Sequence, residues 1–380
     1  MFTVKTTLFL NAIEAAAVGG GKGFVLPVNP KKQKIGTETL QVASISSSNG
    51  EKTGYANFVI HTDDMEKEEV YYPVSALKQV VGSLAKITDT IKITPKGSYL
   101  ELSDIKDGSV VRVELLEKDT ILSLPNSPEG AVLCIMDREK FTTAIRMGGY
   151  CAPGSSTDGN DAVAFCVDME KNTLTVMSMK TTTISHAVAP LIDAKGEKKG
   201  KEWHLADHTF IRNMASKLTG DKIQIAFTPK FIMIQCESAI FGCKKMTGNI
   251  SDALIHLVNE KERDYSGRMS RKDLMLGVEI ATVGCDTSII LMETNSDGSL
   301  GISSSNHANR TKVSQLSHEG GMEGHFYIVE LLKEVLSGGS EEFCYYGKCN
   351  EKQSPLYFSG SENGVQYTSI LAPYVQKNKA

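Results

Sequence analysis

Apolar residues recur along the chain in short stretches with the spacing of an amphipathic helix. Three of these stretches share a phrase in which an aromatic residue or leucine is followed, three and four positions later, by a small residue and an aliphatic one. They begin at Phe9, Phe141 and Leu274, which lie 132 and 133 residues apart. Apolar residues at i, i+3 and i+4 form one stripe of a helix, so each stretch predicts a helix with one buried face.

A second helical pattern follows the first at a similar distance each time, and strand-like stretches follow it. This pattern begins at Leu77, Ile211 and Leu331. The stretches after it alternate apolar and polar residues with the period of two that is typical of strands. They are residues 91–93, 99–102 and 111–113, then 223–225, 231–234 and 240–242, and finally 343–345, 356–358 and 367–371.

Six helices and nine strands in one order, at nearly one spacing, predict three copies of one α+β unit. The predicted helices are residues 3–17, 75–84, 137–148, 207–218, 267–280 and 327–336. The predicted domains are residues 1–127, 128–260 and 261–380, with polar boundaries at 124–130 and 259–263. Three polar stretches, 29–53, 193–201 and 303–321, are predicted to be loops. The alternative is a chance likeness among amphipathic segments.

Composition places the chain among ordinary globular proteins. Its 380 residues carry a formal charge of −4, with 41% hydrophobic and 23% charged residues, which excludes disorder and coiled coil as the main state. No stretch approaches the roughly 18 consecutive apolar residues of a membrane span. The eight cysteines do not form a disulfide framework, so we expect reduced thiols and a cytoplasmic location.

Motifs that carry catalysis are weak in this chain. The stretch from Gly19 to Gly23 follows a predicted helix and lacks a Ser or Thr after Lys22, so it fits a helix end better than a phosphate-binding loop. His204 and His208 are four residues apart, but no acid adjoins His204 as in a zinc protease. We predict a protein that is not an enzyme and holds no cofactor or metal. A hydrolase that uses a cysteine or histidine remains an alternative.

Repeated units of this kind have a geometric consequence at their edges. A sheet covered on one face by two helices has an unpaired edge strand at each end, and neighbouring copies can join through these edges. An arc of three copies leaves two edges, which closed symmetric dimerisation would pair, giving a ring of six copies. We predict this seam at Val111 and Val113 against Ile280 and Val283 of the other chain. Each of the four could instead belong to the core of its own domain.

The repeat resembles the bacterial sliding clamp, the beta subunit of DNA polymerase III, and local phrases add to the likeness. Gly20-Gly21-Lys22 and then Leu26-Pro27-Val28 resemble that family's two glycines, basic residue and Leu-Pro-aliphatic. The stretch from Gly248 to Asp252 is similar to its Gly-x-aromatic-Pro-Asp, with Ile and Ser as departures. Residues 326–336 resemble its last helix, and residues 367–373 resemble its C-terminal strand.

The resemblance implies three sliding-clamp domains and a role as a DNA polymerase processivity factor. In that role a homodimeric ring, with helices inside and sheets outside, encircles duplex DNA without regard to sequence. The resemblance assigns Lys22 to phosphate contact, and helix position adds five more residues: Arg146, Arg212, Lys217, Arg271 and Lys272. The six predicted helices hold eleven basic and eight acidic residues, a balance that suits phosphate binding.

The resemblance also implies a groove in which the replicative polymerase, the clamp loader and other partners place short linear peptides. The residues assigned to it by position are Ser178, Thr181, Thr183, Leu254, Ile370, Leu371, Ala372, Pro373 and Tyr374. Where clamps carry Ala-Thr-Asp-Gly-His-Arg-Leu, this chain has residues 177–184 with neither His nor Arg. We therefore expect a divergent member of the family, encoded by a phage or mobile element. The alternative function is a DNA-binding scaffold of the same fold that serves no polymerase.

Overall fold

The computed structural model of the chain describes residues 1–27, 31–35, 38–62, 69–96, 98–106, 108–114, 131–151, 162–180, 182–196, 202–260, 262–285, 288–306, 308–349 and 354–374. The helices in these residues are α1 (Thr6–Ala16), α2 (Val74–Leu84), α3 (Arg138–Gly148), α4 (His208–Ala215), α5 (Asp252–Val258), α6 (Arg271–Thr282) and α7 (Val329–Gly338). A single 3-10 turn, Ala17–Gly19, extends α1. Among the described helices, none combines the length and apolar character that crossing a membrane requires.

The strands follow in chain order. The first nine are β1 (Phe2–Lys5), β2 (Gly23–Pro27), β3 (Lys31–Ile35), β4 (Glu38–Ser48), β5 (Lys52–Ile60), β6 (Glu69–Pro73), β7 (Thr90–Lys96), β8 (Tyr99–Asp104) and β9 (Val110–Glu114). The next nine are β10 (Val132–Asp137), β11 (Ala162–Asp168), β12 (Thr173–Lys180), β13 (Thr183–Pro190), β14 (Asp193–Lys195), β15 (Trp203–Asp207), β16 (Lys222–Phe227), β17 (Phe231–Gln235) and β18 (Ala239–Lys244). The last nine are β19 (Tyr265–Ser270), β20 (Ile289–Thr294), β21 (Leu300–Ser304), β22 (Arg310–Val313), β23 (Ser317–Glu319), β24 (His325–Ile328), β25 (Glu342–Gly347), β26 (Leu356–Glu362) and β27 (Val365–Leu371).

All six predicted helices are present, and each directly follows a strand. Ten of the twelve predicted bounds differ from the observed ones, by one to four residues. Strands β1, β19 and β24 occupy the first predicted residues of three helices, and α4 ends three residues early. At the start of α6 the hydroxyl of Ser270 accepts a hydrogen bond from the amide of Asp273 (3.4 Å), which satisfies one otherwise unpaired donor of the first turn. Helix α5 was not predicted.

All nine predicted strands are present as β7–β9, β16–β18 and β25–β27. Their alternation places apolar side chains in the core, as for Ile91 and Ile93 of β7 and Phe343 and Tyr345 of β25. The loop prediction for the three polar stretches is wrong in part. They contain β3, β4, β14, β22 and β23, and Glu38–Ser48 alone forms an 11-residue strand. Polar sequences can form strands here because neighbouring strands supply the backbone hydrogen bonds.

The described chain separates into two compact units, and the first comprises residues 1–138, 192–199 and 209–245. It contains two antiparallel sheets. One has the strand order β1-β7-β8-β9, and the other runs β14-β10-β16-β17-β18-β5-β4-β2-β6, with β3 paired to β4. Helix α1 packs against β4, β5 and α2. Phe9 and Ile13 of α1 are completely buried there.

The second unit comprises residues 139–191, 200–208 and 246–380. One sheet has the order β15-β11-β12-β13-β27-β26-β25-β19-β23, and a smaller one runs β22-β21-β20-β24. Leu274 of α6 and Leu332 and Val335 of α7 join one core with Ile290, Ile302 and Phe358. The division of the chain into three domains stays a prediction.

The strand pairing repeats three times along the chain. The strand before the first helix of each copy pairs with the strand after the second helix: β1 with β7, β10 with β16, and β19 with β25. Two seams then join successive copies, because β18 pairs with β5 and β27 pairs with β13. The equivalent strands left over are β9 and β22, and each is the last strand of its sheet.

Candidate nucleic-acid and partner-binding surfaces

Lys22 lies in the glycine turn that ends the first helix. Gly20 has the left-handed φ of +69° and its amide donates to the carbonyl of Ala17 (3.0 Å), so the glycine caps the 3-10 turn. A Cβ at Gly19 would lie 1.9 Å from the carbonyl oxygen of Ser47, so the backbones pack too closely for any other residue. The stretch is thus a helix end, as predicted, and Lys22 is exposed on it.

Two other predicted phosphate contacts lie on the first unit, near the end of α4. Arg212 is exposed on the last turn of α4. Lys217 instead donates to the carboxylate of Glu14 on α1, with 2.6 Å between Nζ and Oε2. This hydrogen bond, more than the charge of Lys217, lowers the pKa of the Glu14 carboxyl. Lys217 is therefore already paired, and Arg212 is the more accessible cation.

The two predicted arginines of the second unit contact the end of α7. Arg146 pairs with Glu362 (Nη2 to Oε1, 2.5 Å) and donates to the carbonyls of Gly338 and Gly339. Arg271 donates to the same Gly339 carbonyl (3.0 Å). Cations at the last carbonyls of a helix satisfy unpaired acceptors and oppose the negative end of its dipole. These arginines therefore stabilise α7, whereas the neighbouring Lys272 is exposed.

Three predicted groove residues, Thr183, Ile370 and Leu371, lie on the paired strands β13 and β27 of the second unit. Ser178 lies on the neighbouring β12, and Leu254 lies on α5. Ile184 and Ile370 are register partners there and lie on one face of the sheet. On this face they join a cluster that we call the α5-face cluster, since α5 and the segment before it cover it. Its buried members are Ala162, Ala164, Met177, Ile184, Leu205, Ile250, Val258, Tyr357 and Ile370, and its partly buried members are Met179, Trp203, Met246, Leu254, Ile255, Leu257 and Tyr346.

Ser178, Thr183 and Leu371 lie on the opposite face, because successive strand residues alternate between faces. The hydroxyl of Ser178 hydrogen bonds to that of Ser185 (2.8 Å) and accepts from the amide of Cys151 (3.1 Å). Thr183 is buried, and Leu371 belongs to the core that contains α6 and α7. In this structure these three side chains do not border the α5-face cluster, although their strands do. Thr181 lies outside the described residues.

Residues 372–374 continue beyond the last strand. The amide of Ala372 donates to the carbonyl of Thr182 (2.9 Å), and that of Tyr374 donates to the carbonyl of Phe326 (2.7 Å). Pro373 between them cannot donate, which is consistent with the end of strand pairing. Ala372 and Pro373 are partly buried, and the side chain of Tyr374 is exposed.

The predicted dimer residues divide into exposed and buried ones. Ile280 on α6 is 46% exposed and Val283 just after it is 69% exposed. Leu276, one turn earlier, is also exposed, so α6 presents an apolar stripe. On β9, Val111 is partly exposed, whereas Val113 belongs to the core of its own sheet. Val110, at the start of β9, was missed by the sequence reasoning and is 51% exposed.

Two buried cysteines and the His204–His208 pair are poorly suited to the hydrolase that remained an alternative. Burial raises the pKa of Cys134 to about 12 and that of Cys151 to about 11, which keeps both thiols protonated and unreactive. His204 lies in β15 and His208 begins α4, so the pair does not share a helix face. Across the residues that the structure describes, no group of three or more His, Cys, Asp or Glu side chains could hold a metal ion.

The architecture is that of the sliding clamps, and the chain is an α+β protein with this fold over nearly its whole length. The beta subunit of DNA polymerase III from Thermotoga maritima superposes with a TM-score of 0.79 at 14% identity, covering 99% of each chain. That from Pseudomonas aeruginosa gives a TM-score of 0.77 at 16% identity, over 98% of this chain and 99% of that one. The Helicobacter pylori beta clamp bound to a DNA ligase peptide gives 0.78 at 13%, over 99% and 100%.

The sequence itself carries less of this likeness than the backbone does. No protein-family model matches the chain, and no curated protein matches it either. At identities of 13–16% the superpositions show a shared fold. The resemblance found in the repeat order is thus confirmed at the level of the fold, in a divergent chain.

Proposed function

We propose that the protein is a DNA polymerase processivity factor. In this proposal, two copies close head to tail into a ring of six clamp domains around duplex DNA. The ring does no chemistry and works in the cytoplasm, where it tethers a replicative polymerase through a peptide groove. The proposed domains are residues 1–127, 128–260 and 261–380.

The observation that carries the proposal is the pair of strands β9 and β22. In both seams within the chain, the last strand of one copy pairs with a strand from the middle of another, as β18 does with β5 and β27 with β13. By the same pattern β9 should pair with β22, and both are the last strands of their sheets. An edge strand is a template for pairing with another chain. Exposed side chains supply apolar surface for that contact. They are Val110 at the start of β9 and the stripe of Leu276, Ile280 and Val283 near β22.

Phosphate contact in this proposal depends on exposed cations of the helices and their ends. Lys22, Arg212 and Lys272 are exposed and should dominate, while Arg146, Lys217 and Arg271 are engaged in ion pairs or helix-end contacts. Contacts of lysine and arginine with phosphates hold a protein on DNA without reading its sequence. That property suits a ring that slides.

Partner peptides are proposed to bind on the α5-face cluster. The Helicobacter pylori clamp of the same fold is bound to a DNA ligase peptide, which supports peptide recognition by this fold. In this chain the surface should be formed by Met179, Leu254, Ile370 and the residues 372–374. Seven members of the cluster are only partly buried apolar side chains, which can gain burial when a peptide binds. Because His and Arg are absent from residues 177–184, peptide binding should depend mainly on apolar anchors.

Topological retention on DNA tests the proposal. The protein, loaded by a clamp loader onto closed circular DNA, should stay bound at salt concentrations that abolish electrostatic binding, and linearising the circle should release it. Equal retention on circular and linear DNA would contradict encirclement. If retention is seen but no replicative polymerase becomes more processive, the scaffold alternative is favoured instead.

A further inference from the structure

A cavity of about 630 Å³ lies on the sheet of the second unit, on the same face as the α5-face cluster. Strands β11, β12, β13 and β15 form its floor, and the segment from Asn249 to Asn259 forms one wall. Ile250, Ile255 and Trp203 line it and also belong to the α5-face cluster. The cavity is thus continuous with the proposed peptide surface but is formed at the other end of the strands.

The imidazole of His186 lines this cavity and is partly buried. Its place in the sheet is set by register, since His186 on β13 pairs with Met177 on β12 and with Thr368 on β27. Burial lowers the pKa of His186 to about 4. The imidazole is therefore neutral at pH 7 and offers one acceptor and one donor nitrogen.

Trp203 and the charged residues define the chemistry of the walls. The indole of Trp203, on β15, is partly buried and provides an aromatic face. The charged lining residues are three carboxylates and one ammonium: Asp168, Glu202, Asp252 and Lys171. Since His186 is neutral, the lining carries a formal charge of −2. The carboxylates do not converge into a metal site in the described part of the chain.

We infer that this cavity binds the guanidinium of an arginine presented by a partner segment that lies across the α5-face cluster. A guanidinium is planar, donates five hydrogen bonds and stacks on aromatic faces, so it matches an acceptor imidazole, an indole and an excess of carboxylates. The same negative charge opposes the phosphate of a nucleotide. The inference depends on the proposed peptide groove only for the source of the arginine, because the cavity itself is formed by residues outside the predicted groove.

The single tryptophan of the chain makes the site directly observable, since Trp203 is the only source of indole fluorescence. The probe is the capped peptide acetyl-Gly-Arg-Gly-amide, which has no apolar anchor and so does not test the groove. It should change the Trp203 emission saturably, with a Kd of about 1 mM or weaker. The citrulline peptide, neutral and nearly the same shape, should cause no saturable change.

Two variants and a matched control assign the response to the cavity. His186→Phe removes the acceptor but keeps a ring of similar size, and Glu202→Gln removes one charge, so each should raise the Kd about tenfold. His186→Leu, which also lacks an acceptor, replaces it if the Phe variant does not fold, as judged by circular dichroism. The matched control Glu330→Gln removes an exposed carboxylate of the same unit on α7 and should leave the Kd unchanged.

Four results would overturn the inference. They are the absence of any saturable response to the arginine peptide, an equal response to the citrulline peptide, an equal response to a capped peptide with lysine in place of arginine, and tighter binding of a nucleotide, AMP, than of the arginine peptide. A failure of topological retention on DNA would leave these outcomes untouched, because the probes act on the free protein.

Discussion

Ile184 of β13 and Ile370 of β27 are register partners, and both are buried in the α5-face cluster. The next residue on β27, Leu371, is buried in the core formed with α6 and α7. One seam between two strands therefore contributes to a proposed binding surface on one face and to the core on the other. Substitutions at neighbouring positions should have different consequences.

We expect Leu254→Ala and Met179→Ala to weaken peptide binding by about 5- to 30-fold, the usual cost of truncating an apolar anchor. Both side chains are partly buried in the α5-face cluster and can gain burial when a peptide binds. The measurement is fluorescence anisotropy of a labelled peptide from the cognate polymerase. Leu316→Ala, an exposed leucine of the same unit, is the control and should bind normally. Unchanged affinity in both cluster variants would refute the groove.

Leu371→Ala should act on stability instead. The side chain is completely buried, and shortening a buried leucine costs about 2–5 kcal/mol through lost burial and the cavity that remains. Urea denaturation should show a lower midpoint with a similar slope. A loss of peptide affinity at unchanged stability would instead place Leu371 in the binding surface.

Val283→Asp should convert the proposed dimer to a monomer without unfolding the chain. Val283 is exposed in the single chain, so the charge costs little there, but burying it unpaired at the proposed seam of β9 and β22 should raise the dimer Kd by at least about 100-fold. Sedimentation velocity measures the change. Leu133→Asp introduces the same charge at an exposed apolar position on β10, an interior strand of its sheet, and should remain dimeric. A wild-type monomer at micromolar concentration would exclude the ring.

Arg212→Ala and Lys272→Ala should each weaken DNA binding at all sequences and reduce the salt dependence by about one phosphate contact per site. Both side chains are exposed. Arg271→Ala is a useful contrast, because Arg271 donates to the carbonyl of Gly339 after α7 and should affect stability more than affinity. Anisotropy of a labelled duplex between low and moderate salt gives the slopes. If the salt dependence of binding in all three variants equals that of the wild type, Arg212 and Lys272 do not contact DNA.

The repeat and its order could be predicted from the sequence because helix and strand periods are local properties. Leu77, Val81 and Leu84 are buried at helical spacing on α2, and Ile223 and Ile225 are buried at strand spacing on β16. The strands between the helices of each copy were missed. Their sequences, as in Glu38–Ser48, hold few apolar residues in alternation, and long-range pairing determines their conformation.

The site was less predictable than the fold. Whether Ser178 or Met177 faces the α5-face cluster depends on strand phase, and a one-residue difference moves a side chain to the other face. Helix α5 has only seven residues, although Ser251 at its start, which accepts a hydrogen bond from the amide of Leu254, is an N-cap signal that could have revealed it. His186 and Trp203 carry no motif, and the register of β13, β12, β11 and β15 brings them to one cavity.

His186 should make the protein less stable as the pH falls. Burial lowers its pKa to about 4 in the folded chain, whereas an exposed histidine has a pKa of about 6.5. Above pH 6.5 the imidazole is neutral in both states and has no effect. Between pH 6.5 and pH 4 only the unfolded chain takes up the proton, so stability falls progressively by an amount on the order of 3 kcal/mol. The NMR titration of the His186 ring gives the folded pKa directly. Urea midpoints at pH 7.5 and pH 5 should differ less in His186→Gln than in the wild type, and an equal difference in both proteins would show that other groups cause the loss.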